Sequence, residues 1–122
     1  MDGSVGNGPK APFWGNFFFA RKSTDIHQPG PSDVWLFTDE HPDSIDDCIL
    51  YTSPNPVTSL IEIPGSQHAD ACGITFADGH AEIHKWKGAF THHPVQYDVL
   101  HYVSTPLNDP DMLWLAQHTA AR

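Results

Sequence analysis

The chain has 122 residues, which is one domain by length and enough chain to own a hydrophobic core. Lys and Arg number 6 against 15 Asp and Glu, a formal charge of −9, so composition argues against nucleic acid and against a polybasic anchor on an anionic membrane. No apolar run reaches the ~18 residues of a membrane span, two cysteines are too few for a disulfide framework, and nine histidines make metal or proton chemistry worth testing.

Residues 1–12 carry almost no apolar side chain and read as a mobile lead-in, with one domain over residues 13–122. Phe13 to Ala20 is bulky and aromatic, which suits a buried strand. Residues 28–33 form a Pro/Gly loop. Val34 to Asp39 is an apolar strand with Trp35 and Phe37 on one face and Val34 and Leu36 on the other, which predicts a central place in the sheet. An acidic loop follows, with Asp39, Glu40, Asp43, Asp46 and Asp47 around Pro42. Cys48 to Tyr51 and Val57 to Ile63 read as further short strands.

Asp78-Gly79 separates two alternating segments, the strongest short-range signal for a hairpin. A two-residue turn sets Phe76 opposite Ala81, Ile74 opposite Ile83 and Gly73 opposite His84. That register sends Ile74, Phe76, Ala81 and Ile83 to the core, and His80, Glu82 and His84 to a polar face with Gly73, Thr75 and Ala77. Residues 88–108 read as loop with one strand near Val99 to Val103. Asn108-Asp109-Pro110-Asp111 starts a short helix whose buried stripe is Met112, Leu113, Leu115 and Ala116. The fold class is α+β, mainly β: an antiparallel sheet, an Asp-Gly hairpin and a short C-terminal helix.

Three constellations can carry chemistry. Two imidazoles and a carboxylate at alternate strand positions, His80, Glu82 and His84, stand about 6–7 Å apart and suit a zinc-type ion. The competing reading is a solvated sheet face, polar by default. The acidic loop with Asp39 and Glu40 offers oxygen ligands for calcium, without the spacing of an EF-hand. A composite of His68, Asp78 and His80 with Asp39 or Glu40 suits either catalysis or a structural tie of the His68 loop to the turn. As an enzyme, the chain would be a small metal-dependent or acid/base hydrolase of ester or glycoside substrates, using the His80, Glu82 and His84 face with Asp39 or Glu40, and with Glu40, Glu82 and His68 as its catalytic candidates. Carbohydrate is a further candidate partner, through Trp14, Trp35, Trp86, Trp114, Tyr97 and Tyr102; core packing of the tryptophans is the competing reading. Cys48 and Cys72 are either a disulfide between neighbouring strands or two buried thiols.

His68, nine intervening residues and Asp78-Gly79 form a pattern with its own resemblance. The segment from His68 to Glu82 resembles the prepilin-type processing-associated His-x9-Asp-Gly domain of pseudopilin-like type II secretion proteins. Phe37 to Ile45, with its Asp39-Glu40-His41-Pro42-Asp43-Ser44 run, is similar to a second segment of that family, and Asn108 to Leu115 to its closing segment. The resemblance spans about residues 17 to 120. It implies a pilin-like head at the cell envelope or outside it, with His68, Asp78 and Gly79 as architectural motif residues and other pilin-like subunits as partners. It gives some weight to calcium in the acidic loop. The basic leader and the ~20-residue apolar helix of pilins do not stand in this sequence, which predicts a head with an uncovered apolar face and hence a homo-oligomer.

Overall fold

The computed structural model describes residues 20–46, 49–55, 57–60, 62–98 and 103–120. Its elements are a 3-10 turn at Ser23–Asp25, strands β1 (Trp35–Thr38), β2 (Ser59–Leu60), β3 (Ala71–Phe76), β4 (Ala81–Lys85) and β5 (Val103–Ser104), and helix α1 (Pro110–Gln117). The architecture is α+β, mainly β, with antiparallel sheets and one short C-terminal helix. A three-stranded sheet runs in the order β1-β3-β4, and β2 pairs with β5 in a second, two-stranded sheet. No described helix is long and apolar enough to cross a membrane.

The hairpin stands where Asp78-Gly79 predicts it, but its register differs by one residue. Ile74 pairs with Glu82, Gly73 with Ile83 and Cys72 with His84. The cause is the turn. The Phe76 N–H donates to the His80 carbonyl, and the Gly79 N–H donates back to the Phe76 carbonyl. Gly79 has φ +96°, so the connection is Ala77-Asp78-Gly79, a three-residue loop closed by a left-handed glycine. One extra loop residue turns β4 over relative to the expectation. Ile83 is therefore 76% exposed, and Ala81 is exposed as well. His80, Glu82 and His84 lie on the side of Cys72, Ile74 and Phe76.

The strand Val34 to Asp39 also departs from its reading. β1 is an edge, and β3 is the central strand. A bulge at Leu36 shifts the register between Trp35 and Phe37. Two residues then oppose one, and the alternation of faces breaks. Trp35 stays buried at 1% exposure while Phe37 is 52% exposed. Residues 49–51 form no strand of more than a single bridge position, and the expected strand over 57–63 shrinks to Ser59–Leu60. Of the strand expected near 99–103, residues 99–102 lie outside the described residues, and Val103 opens β5. The readings placed on residues 1–19, Asp47 and Cys48 lie outside the described residues.

The main core joins both sheets to the helix. It holds Trp35, Leu50, Leu60, Ile63, Cys72, Ile74, Phe76, Trp86, Phe90, Met112 and Leu115. A smaller cluster gathers Ala20, Ile26, Val34 and Ala120. α1 starts as predicted: the Asp109 carboxylate accepts from the N–H groups of Asp111 and Met112, and Pro110 needs no donor in the first turn. Its buried residues are Asp111, Met112, Leu115 and Ala116, so Asp111 replaces the expected Leu113.

Candidate functional site

The acidic segment after β1 is a buried knot of hydrogen bonds. His41 is fully buried. Its Nδ1 accepts from the Asp43 N–H at 3.2 Å, which leaves the ring proton on Nε2 to donate to the His93 carbonyl at 2.9 Å. The His41 N–H donates to the Ile63 carbonyl at 2.8 Å. The Ser44 hydroxyl accepts from the Ile63 N–H and donates toward the Glu40 carboxylate at 3.1 Å. The Asp43 carboxylate accepts from the Gln96 N–H at 2.7 Å. Burial pushes the Asp43 pKa up, but the amides of Gln96, Tyr97 and Asp98 and the His41 ring outweigh it and hold it below 3.8. Tyr97 has φ +56°, so its amide and its neighbours curl round the carboxylate as a small anion-binding nest.

Helix α1 repeats the device at its own start. Asp111 is 2% exposed. Its carboxylate accepts from the Lys87 N–H (2.9 Å), the Gly88 N–H (2.7 Å) and the Thr91 hydroxyl (2.7 Å). A Cβ on Gly88 would fall 2.5 Å from both Asp109 carboxylate oxygens, so the loop after β4 approaches the helix cap only as glycine.

The residues singled out by the sequence do not converge. His68 is exposed, in the loop before β3, whereas Asp78 and Gly79 follow the far end of that strand. A six-residue strand separates them by roughly 20 Å, so the expected tie between His68 and the turn is not made. Asp78 instead accepts from its own hairpin, from the His80 N–H (3.1 Å) and from His80 Nδ1 (2.6 Å). These two donors hold the Asp78 carboxyl below its usual pKa. Asp39 and Glu40 follow the β1 edge, and Glu82 lies on the opposite edge, two strand spacings or roughly 10 Å away. Asp39 gives its carbonyl to the Gly65 N–H. Among the described residues, no three His, Cys, Asp or Glu side chains stand together as a set able to hold a metal ion.

His80 and His84 take part in an aromatic row instead. The His80 ring stacks on Phe76 at 4.4 Å between centroids. The His84 ring meets Trp114 at 3.9 Å and Trp86 at 4.5 Å. His118 stacks on Trp114 at 4.0 Å, and its Nδ1 donates to the Trp114 carbonyl at 2.8 Å. The row seams β4 to α1. Burial lowers the His84 pKa below 6.5, with Asp111 and Glu82 opposing that shift and His118 and Lys87 adding to it. Of the aromatics considered for sugar stacking, Trp35 and Trp86 are core and Trp114 is half-buried in this row, while Tyr97 is exposed. Trp14 and Tyr102 lie outside the described residues. Cys72 is a fully buried free thiol, 3.1 Å from the Thr38 hydroxyl, and burial pushes its pKa up.

Sequence reasoning missed Asp111, His41 and His118 as organising residues. The first two stood in motif segments, where a second aspartate beside a capping one and a histidine beside a proline were available signals. His118 gave none, because its role depends on where α1 docks. Compared with models of known families, with curated proteins and with solved structures, the chain matches none.

Proposed function

We propose that this chain is the globular head of a pseudopilin-like protein, a structural and interaction domain of a secretion or pilus-type assembly at the cell envelope. The observation that supports it is how the family-like segments are used. The Asp39–Ser44 run and the Asn108–Leu115 run place their polar groups in hydrogen bonds that clamp loops 63, 87–91 and 93–98 onto the sheet and helix. Residues spent on such clamps are architecture, as a head that presents a surface requires, and are not free to turn over a substrate. His68 and Asp78-Gly79 bracket β3, the central strand, in the same reading.

The test is to tag the chain in the cell that encodes it, fractionate that cell and cross-link in place. The expected result is the envelope fraction, with cross-links to pilin-like subunits. A chain wholly in the cytosolic fraction without such cross-links overturns the reading. The hydrolase alternative has no observation in its favour: Glu40 follows one edge of the three-stranded sheet and Glu82 lies on the other, and no set of three His, Cys, Asp or Glu side chains among the described residues could hold a metal ion. Elemental analysis of dialysed protein beside His80→Ala/His84→Ala checks it: neither sample is expected to carry stoichiometric zinc, copper or iron. One equivalent in the parent that disappears in the variant would bring the metal enzyme back.

A further inference from the structure

β4 ends the three-stranded sheet, and among the described residues no element pairs with its outer side. Its hydrogen-bond phase follows from its two ends. The Phe76 N–H donates to the His80 carbonyl, and the Trp86 N–H donates to the Asp70 carbonyl. In an antiparallel ladder alternate residues bond to the partner strand. The His80 carbonyl, the Trp86 N–H and both backbone groups of Glu82 and His84 therefore turn toward β3. Ala81, Ile83 and Lys85 turn theirs outward, three N–H and three C=O groups on an open edge.

The strand reads Ala81-Glu82-Ile83-His84-Lys85, and that order is complementary to itself about Ile83. We propose that β4 is a homodimer edge: a second copy of this chain adds its own β4 antiparallel, with Ile83 on the two-fold axis. In that register Ile83 faces Ile83 and Ala81 faces Lys85, all of them the outward-bonding residues, so six backbone hydrogen bonds form. Glu82 faces His84 of the other copy twice, in the non-hydrogen-bonded pairs where side chains approach closest. Ile83, 76% exposed in one copy, finds an apolar partner, and Phe37 at 52% lies on the same outer face. No like charges meet directly across the axis. The sheet becomes six strands, β1-β3-β4-β4-β3-β1. A strand-edge contact buries less than the ~1,600 Å² of a standard interface, so association is weak and concentration-dependent. The inference stands on strand geometry alone and does not depend on the pseudopilin reading.

The experiment is sedimentation of the full chain over a concentration series, with amide hydrogen exchange at the lowest and highest points. The expected result is a monomer–dimer equilibrium in which the amides of Ala81, Ile83 and Lys85 slow as the dimer fills. Ile83→Lys sets two like charges opposite each other and weakens association by about tenfold or more. Ile83→Pro removes an outward N–H without touching the bonds to β3 and abolishes association. Circular dichroism checks that both variants stay folded. A monomer at all concentrations up to about 1 mM overturns the proposal. So does a dimer that folded Ile83→Lys and Ile83→Pro leave intact. If either variant unfolds, the exchange data on the parent decide alone: a dimer whose formation leaves those three amides unchanged uses another surface.

Discussion

Among the described residues, single carboxylates tie separate loops together. Asp111 is the clearest case, since one buried side chain holds two backbone N–H groups and a hydroxyl from the loop after β4. A charge so buried is tolerable because several donors meet it at once. Replacing it by alanine strands those donors in the interior. Charge-assisted bonds contribute about 1.5–3 kcal/mol each, and unsatisfied buried donors cost a similar amount. Asp111→Ala is therefore expected to destabilise the fold by roughly 3 kcal/mol or more, read from urea denaturation. Leu113→Ala, on the exposed side of the same helix, serves as the comparison. Equal losses in the two variants would show that Asp111 is not the tie described. His41 and Asp43 follow the same logic in the segment after β1, where one histidine ring links its own loop to the carbonyl of His93.

At the scale of elements, the hairpin shows what one residue can do. Gly79 adopts φ +96° in open space, with nothing within 4 Å of a Cβ added there. Gly79→Ala therefore meets only the left-handed backbone penalty, about 1–2 kcal/mol. Thermal denaturation measures that loss, and an unchanged midpoint would sink the claim that the turn needs glycine. The existence of this hairpin was legible from Asp78-Gly79, and the short helix from Asp109-Pro110. The register was not legible. Asp-Gly serves both two-residue and three-residue loops, and the alternation on β4, apolar Ala81 and Ile83 against His80, Glu82 and His84, favours the two-residue choice that the chain does not adopt. The price of that ambiguity was the candidate site, because a slip of one residue carried His80, Glu82 and His84 from the expected open face to the core side. β1 failed for a related reason: periodicity cannot show a bulge, so Phe37 seemed to share a face with Trp35. The helix stripe erred only at Leu113, where a buried aspartate took the place of a hydrophobe because Lys87, Gly88 and Thr91 supply its bonds.

The molecule as a whole carries groups whose ionisation differs between folded and unfolded chains, and its stability must follow pH accordingly. His84 is the upper group. Its imidazole is packed against Trp86 and Trp114, and its folded pKa lies below 6.5. The unfolded chain therefore takes up the proton first, so stability is intact above pH 6.5 and falls as pH drops below it, until the folded-state value is also passed. Asp43 is the lower group. Its carboxyl is held below 3.8 by the Gln96, Tyr97 and Asp98 amides against the effect of burial, so its contribution is present above 3.8 and is lost as pH falls through the folded value. Asp78 shifts in the same direction through His80 and shares this lower window. Urea midpoints measured from pH 8 to pH 3 should thus decline in two stages, one beginning near 6.5 and one below 3.8. His84→Gln should flatten the first stage and leave the second. Asp43→Asn should leave the first and remove only part of the second, since Asp78 still titrates there. A first stage that persists unchanged in His84→Gln would overturn the assignment of that stage to His84.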